Sequence, residues 1–298
     1  MTWKVLEQCV VPVMKAGRGP EDAIFKTGTA DEARAYVITD GYSTHQRTPI
    51  DGLTPGQFVV REAGKAFQNL RVPVCRKDIS LWFNAVSEYV GGVLKREGRF
   101  DERDGLYRRP GLVCVAFLPH LQVVARVGDC QVFFNGAGHN PGLAVDAVKA
   151  DLRWMRMLEL LGECDPSQPS ARRDALVRED PTQVLMRSLN ADWQQAFRNK
   201  TGPYGYGVVD GTAIPEEHIE VFDVGREVRQ VTLTSDGIPR MFVLNSLEET
   251  QRAFLAELQR DPLCINLLRG VRGAVVGTNG EYFPYDDFSY VSFQNPEI

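Results

Sequence analysis

Two carboxylates in this chain stand where a strand-like segment ends. Asp40 follows the segment 33–39 and Asp236 follows the segment 231–235, and a glycine comes directly after each Asp. If the two strands lie side by side, their terminal carboxylates converge, and clustered oxygens are what a hard divalent cation requires. Glycine has no Cβ, so the backbone beside each Asp can approach a ligand closely. The pattern indicates a metal site at one edge of a sheet.

An Asp-Gly pair is usually just a turn, because Asp caps its own backbone and Gly accepts a positive φ. The chain has three further pairs, which begin at Asp51, Asp104 and Asp210. No long apolar run leads into any of these three, and we predict turns there. The apolar lead-in that ends in Thr or Ser is what sets Asp40 and Asp236 apart.

Composition limits the classes of function. The chain has 298 residues, a formal net charge of −5, 43% hydrophobic residues and 24% charged residues, which is ordinary for a globular protein. A mildly acidic chain lacks the basic surface of a nucleic-acid-binding protein, so no nucleic-acid partner is expected. Any phosphate group would be bound locally, by a metal or a single Arg.

Cysteine usage and the amino terminus bear on location. The six cysteines form no Cys-x-x-Cys pair and only four histidines could join them, so no structural zinc pattern is present. The amino terminus lacks the basic start and apolar core of a signal peptide. The most apolar window, residues 111–125, is interrupted at Pro119 and is too short to span a bilayer. We expect a cytoplasmic protein with reduced thiols and no membrane association.

Hydrophobic periodicity predicts the order of elements. The expected helices are 55–70, 79–96 and 247–259, and the expected strands are 5–14, 23–26, 33–39, 112–118, 122–127, 131–134, 219–224, 228–235 and 288–293. Strands grouped in runs, with helices grouped between them, favour an α+β fold over alternating βαβ units. No linker divides the chain, so we expect a single domain over residues 1–293 with a helical or irregular insert at about 146–215 and a tail at 294–298.

Acidic residues flank expected strands at three further places. Glu21 and Asp22 open one strand, Asp129 closes another, and Asp286-Asp287 opens the last. Each alone is typical of a solvated strand end. A site for two metals needs several oxygen ligands, and together with Asp40 and Asp236 these residues supply them.

The order of these motifs resembles the metal-dependent protein phosphatase family of the PP2C type. Five motifs carry the resemblance and span nearly the whole chain: Arg18-Gly19-Pro20-Glu21-Asp22-Ala23, Tyr36-Val37-Ile38-Thr39-Asp40-Gly41, Ala125-Arg126-Val127-Gly128-Asp129-Cys130, Thr232-Leu233-Thr234-Ser235-Asp236-Gly237 and Asp286-Asp287-Phe288-Ser289-Tyr290-Val291. The resemblance implies an α-β-β-α sandwich, in which two mainly antiparallel central sheets are flanked by helices.

The resemblance also implies a ligand set for two Mg²⁺ or Mn²⁺ ions. Asp40 would bridge both ions, and the carbonyl of Gly41 would bind one of them. Asp236 and Asp286 would complete the protein ligands of the first ion, while Glu21 would serve the second.

Two more carboxylates have implied roles in the same site. Asp22 would contact water bound to a metal. Asp129, together with Asp236, would hold a third, weaker ion, as in bacterial members of the family.

Two basic side chains have implied catalytic roles. Arg18 would grip the substrate phosphate, although its spacing to Glu21 is one residue shorter than in typical members. His45 would be a general acid for the leaving group, with a purely structural histidine as the alternative. The chain also departs from the family at 42–44, where the usual small residues are missing, at 237–240 and at 287–289. These departures indicate a distant branch.

The function expected from the resemblance is dephosphorylation of phosphoserine and phosphothreonine in proteins. A water that bridges the two ions would attack phosphorus in line with the leaving oxygen. Two alternatives remain open at the level of sequence: a catalytically silent module that binds a phosphoprotein or a regulator, and a phosphatase of small phosphoesters or nucleotides that uses the insert to enclose its substrate.

Overall fold

The computed structural model describes residues 3–11, 19–28, 34–42, 48–100, 109–139, 155, 158–159, 162–163, 167, 197–238, 242–243, 246–260, 275–276, 282–283 and 287–297. Most of the expected insert, and three of the predicted site residues, Arg18, His45 and Asp286, lie outside these ranges. Among the described residues, no helix is both long and apolar enough to cross a membrane.

The described elements agree in type and order with those that periodicity predicts. The strands are β1 Lys4–Val11, β2 Asp22–Thr27, β3 Ala35–Tyr42, β4 Gly111–Leu118, β5 Val123–Val127, β6 Gln131–Phe134, β7 Ala137–His139, β8 Ile219–Asp223, β9 Gln230–Thr234, β10 Val275–Val276, β11 Tyr282–Phe283 and β12 Phe288–Gln294. The helices are α1 Pro55–Asn69, α2 Asp78–Arg96 and α3 Leu247–Arg260. The short strands β7, β10 and β11 were not predicted.

Ten of the strands form two five-stranded sheets. Sheet I has the order β2-β3-β4-β5-β8 and sheet II has the order β1-β12-β9-β6-β7, while β10 and β11 form a separate pair. Every neighbouring pair within both sheets is antiparallel.

Three apolar clusters separate the layers. The first lies between sheet I and helices α1 and α2, where Val37 packs with residues such as Phe58 and Phe83. The second lies between the two sheets and contains Ile38 and Leu233. Because successive residues of a strand point to opposite faces, a strand that is covered on both sides must be apolar at nearly every position, as β4 is.

The third cluster covers the outer face of sheet II. Phe133 and Tyr290 from the sheet pack there with Phe254 of α3. The order of layers is therefore helices, sheet I, sheet II, helix, and the predicted α+β fold with an α-β-β-α sandwich is confirmed.

Candidate metal centre

Sheet pairing places two of the predicted site carboxylates face to face. Asp22 at the start of β2 lies directly opposite Asp40 near the end of β3. Directly opposed residues have Cβ atoms about 5 Å apart, so the two side chains are close neighbours. Both residues are buried, with exposed fractions of 5% and 7%. A buried pair of like-charged groups is costly unless cations or hydrogen-bond donors compensate it.

Glu21 connects this pair to the second sheet. Its backbone N–H donates to Oδ2 of Asp287 at 2.9 Å, and Asp287 directly precedes β12 of sheet II. Its carbonyl oxygen accepts from the N–H of Gly41 at 3.0 Å. The edge of sheet I that carries Asp22 and Asp40 therefore meets the edge of sheet II where β12 begins.

Asp129 reaches the same edge where the chain crosses between the sheets. Gly128 and Asp129 leave β5 in sheet I, and the chain enters β6 in sheet II at Gln131. Gly128 has a φ of +88°, and a Cβ there would lie 2.2 Å from Cγ1 of Val113, the residue that pairs with Asp40. Only glycine fits this crossing. The sequence correctly predicted that Asp129 ends a strand, but not that the chain changes sheets there.

A buried arginine fixes the residue that follows Asp129. Arg126 is 1% exposed, and its NH1 donates to the carbonyl oxygens of Cys130 and His139 at 3.2 and 2.7 Å. Its Nε and NH2 donate to Oε2 of Glu220 at 2.8 and 2.6 Å. Because a guanidinium is planar and carries its donors in a rigid fork, these bonds hold the crossing in one conformation.

The pKa of the Cys130 thiol reflects the carboxylates near it. Burial raises the pKa of this thiol well above its ordinary value, and the carboxylates of Asp40, Asp129 and Asp22 raise it further. Coulomb interactions of this kind weaken with distance. Three predicted site carboxylates are thus near enough to this thiol to raise its pKa.

Asp236 lies at the matching edge of sheet II, two residues after the end of β9. Ser235 donates its N–H to the carbonyl of Ser289 at 3.1 Å and accepts from the N–H of Ser289 at 2.8 Å through its hydroxyl. The side-chain amide of Gln131 donates to the carbonyls of Ser235 and Ile238 at 3.4 and 2.9 Å. These bonds involve residues on both sides of Asp236 and hold the turn beside the start of β6.

We call Glu21, Asp22, Asp40, Asp129 and Asp236 the acidic rim. All five lie at strand ends on one edge of the sandwich. Their donors are all oxygen, which suits Mg²⁺ or Mn²⁺ and does not suit a soft cation. Within the described part of the chain, no group of three or more His, Cys, Asp or Glu side chains is arranged so that it could hold a metal ion.

Tyr42, which follows Gly41, makes a cation–π contact with Arg198. The guanidinium of Arg198 lies 4.3 Å from the centre of the Tyr42 ring, and its NH1 donates to the carbonyl of Arg109 at 2.9 Å. Burial raises the pKa of Tyr42 well above its ordinary value, so its hydroxyl keeps its proton. The strand end that carries Asp40 and Gly41 is therefore packed on both sides.

Sequence reasoning missed Thr54 and Gln57, and it named Asp287 only as part of the acidic pair that opens the last strand. Thr54 caps α1 and forms a capping box with Gln57, and Thr-x-x-Gln before an apolar helix is a signal that the sequence does contain. The bond between Glu21 and Asp287 joins residues 266 apart, and no local pattern predicts it.

Comparisons with known proteins give structural likenesses only. No protein-family model matches the chain, and no curated protein matches it. Similar solved structures include serine/threonine phosphatase Stp1 from Staphylococcus aureus (TM-score 0.49, 12% identity, 99% of this chain and 96% of that chain) and the S. agalactiae serine/threonine phosphatase (TM-score 0.47, 12% identity, 98% of both chains). Another is the catalytic domain of serine/threonine protein phosphatase PstP in complex with two manganese ions (TM-score 0.46, 13% identity, 98% and 99%). At these identities, activity has to be argued from the residues of the acidic rim.

Proposed function

We propose that this chain is a Mg²⁺- or Mn²⁺-dependent phosphomonoester hydrolase of the PP2C type that acts on phosphoserine and phosphothreonine in proteins. The observation that carries the proposal is the buried, face-to-face pair of Asp22 and Asp40, with Asp129 at the nearby crossing from β5 to β6. Buried carboxylates that repel one another are costly to keep, and a purely structural edge would not need them.

Each residue of the rim has a proposed task. Asp40 would be shared by two cations, Asp236 would hold the first with Asp286, and Glu21 would hold the second. Asp22 would orient water at the second cation, and Asp129 would hold a third, weaker ion. Bound divalent cations lower the pKa of water and stabilise charge on a transferring phosphoryl group.

The remaining tasks fall to residues outside the described ranges. Arg18 would bind the phosphate oxygens of the substrate, since a guanidinium matches phosphate geometry with two parallel bonds. His45 would donate a proton to the leaving serine or threonine oxygen.

The proposal is tested by hydrolysis of p-nitrophenyl phosphate and of a phosphothreonine peptide. We expect turnover of both only when Mn²⁺ or Mg²⁺ is supplied, and none after chelation. Asp236→Asn should lower kcat by more than about 100-fold, because it removes a negatively charged ligand. Asp51→Asn is the matched control: Asp51 also precedes a glycine, but it lies in an exposed turn with a φ of +52°, which Asn tolerates.

Several results would contradict the proposal. Turnover without a divalent cation, or full activity of Asp236→Asn, would exclude the metal-dependent mechanism. Cation binding without turnover of any phosphoester would favour the silent binding module. Turnover of the aryl phosphate but not of the phosphopeptide would favour a small-molecule phosphatase.

A further inference from the structure

The side chain of Glu21 is seated on the first turn of helix α1. Its Oε1 accepts a hydrogen bond from the hydroxyl of Thr54 at 2.5 Å. Its Oε2 lies against Gly56, where a Cβ would come within 2.7 Å of that oxygen. The amino end of a helix carries a partial positive charge, which stabilises a carboxylate placed there. Both oxygens of Glu21 are therefore located by α1.

The same turn of α1 also holds the chain that leads into Glu21. Nε2 of Gln57 donates to the carbonyl oxygens of Gly19 and Pro20 at 2.6 and 3.4 Å. Gln57 belongs to the capping box, since its Oε1 accepts from the N–H of Thr54 at 3.0 Å. One turn of helix thus fixes both the backbone before Glu21 and its carboxylate.

The hydroxyl of Thr54 performs two tasks with different chemical requirements. It accepts a hydrogen bond from the N–H of Gln57 at 3.2 Å, which is the helix cap. It donates its one proton to Glu21. Capping needs only an acceptor, whereas the contact with Glu21 needs a donor. The two tasks can therefore be separated by substitution.

We infer that Thr54 is a positioning residue for the proposed cation site and acts through Glu21. A carboxylate has about four lone-pair sites, so an oxygen that accepts from Thr54 can still bind a cation. Outer partners of this kind orient a ligand and cost about 10–100-fold in metal affinity when they are removed. The inference rests on the proposed function, because it assumes that Glu21 serves a divalent cation.

Three substitutions distinguish positioning from capping. Thr54→Ser keeps both the acceptor and the donor. Thr54→Asp keeps a strong cap acceptor but has no proton for Glu21. Thr54→Val keeps the shape of threonine and loses both. The carboxylate of Thr54→Asp would also repel that of Glu21, so a loss of affinity is assigned to the lost bond only where Thr54→Val, which adds no charge, shows it too.

The test is calorimetric titration of each full-length variant with Mn²⁺, together with its melting temperature in the absence of metal. We expect Thr54→Ser to bind Mn²⁺ within about twofold of wild type, and Thr54→Asp and Thr54→Val to bind at least about tenfold more weakly. Thr54→Ser should melt close to wild type, Thr54→Asp should melt lower because its carboxylate repels Glu21, and Thr54→Val should melt lower because the cap is lost.

Two other outcomes are distinguishable. Wild-type Mn²⁺ affinity in Thr54→Val would overturn the inference while leaving the proposed function in place, because Thr54 would then be only a helix cap. A wild-type chain that takes up no Mn²⁺ would overturn the proposed function and the inference together.

Discussion

Gly41, which follows Asp40, packs closely against helix α1. A Cβ at this position would lie 2.7 Å from Cγ2 of Val60 and 2.8 and 2.9 Å from the carbonyl oxygens of Glu21 and Gly56. Two of these three atoms belong to the backbone and cannot rotate away. The absence of a side chain at Gly41 is therefore what lets β3, β2 and α1 meet beside Asp40.

Gly41→Ala tests this packing. We expect the free energy of unfolding to fall by about 1–3 kcal/mol, because an added methyl group in a packed interior forces the backbone to shift. We also expect metal-supported phosphatase activity to fall at least about tenfold at a temperature where the variant is still folded, since the shift moves Asp40. Urea unfolding and initial rates measure the two effects.

Gly162→Ala is the control, because a Cβ at Gly162 has no atom within 4 Å. It should match wild type in both measurements. Wild-type stability and activity in Gly41→Ala would show that the strand end tolerates a side chain, and the close approach would then have no structural importance.

Helix α2 holds the segment 210–214 through a set of polar and close backbone contacts. Asn84 donates through its Nδ2 to the carbonyl of Ile214 at 3.2 Å and accepts from the N–H of Ile214 at 2.7 Å. The hydroxyl of Ser87 donates to the carbonyl of Thr212 at 2.7 Å. One turn further along α2, Gly91 touches the backbone of Gly211. The apolar stripe of α2 indicated core packing, and these polar contacts add a second packed face.

Two adjacent glycines of α2 should respond to alanine in opposite directions. A Cβ on Gly91 would meet the Cα and the carbonyl oxygen of Gly211 at 2.8 Å each, whereas a Cβ on Gly92 would meet only NH1 of Arg96 at 3.8 Å. Gly91→Ala should therefore destabilise the protein by about 1–3 kcal/mol through overpacking. Gly92→Ala should stabilise it by about 0.5–1 kcal/mol, because alanine has the higher helix propensity.

Urea unfolding of the two variants measures both changes, and each variant is the control for the other. Equal effects of the two substitutions would contradict the close packing of α2 on the segment 210–214.

The fold of the whole molecule follows from local patterns to a large extent. The strand β3 is apolar at successive positions, and this predicts a strand that is buried on both faces, as the sandwich requires. Helices α1 and α2 were predicted to within one residue at each end, because their apolar stripes are long and regular.

The assembly of the acidic rim could be predicted only in part. The order of acidic residues indicated one site, but the short link at Gly128-Asp129 looks like a hairpin turn in sequence. In the structure this link carries the chain from one sheet to the other. The positive φ of Gly128 and its close approach to Val113 accompany this crossing. The partner of Glu21 at Asp287 is likewise set by how the two sheets pack, which no local pattern encodes.

The proposed function requires that carboxylates from both sheets together hold two divalent cations at one edge of the sandwich. Anomalous diffraction from crystals grown with saturating Mn²⁺ tests this most directly. We expect two manganese peaks about 3.5–4 Å apart, with the carboxylate of Asp40 as a ligand of both and Asp236 as a ligand of one. Crystals in which no manganese lies within bonding distance of Asp40 would contradict the proposed two-cation mechanism.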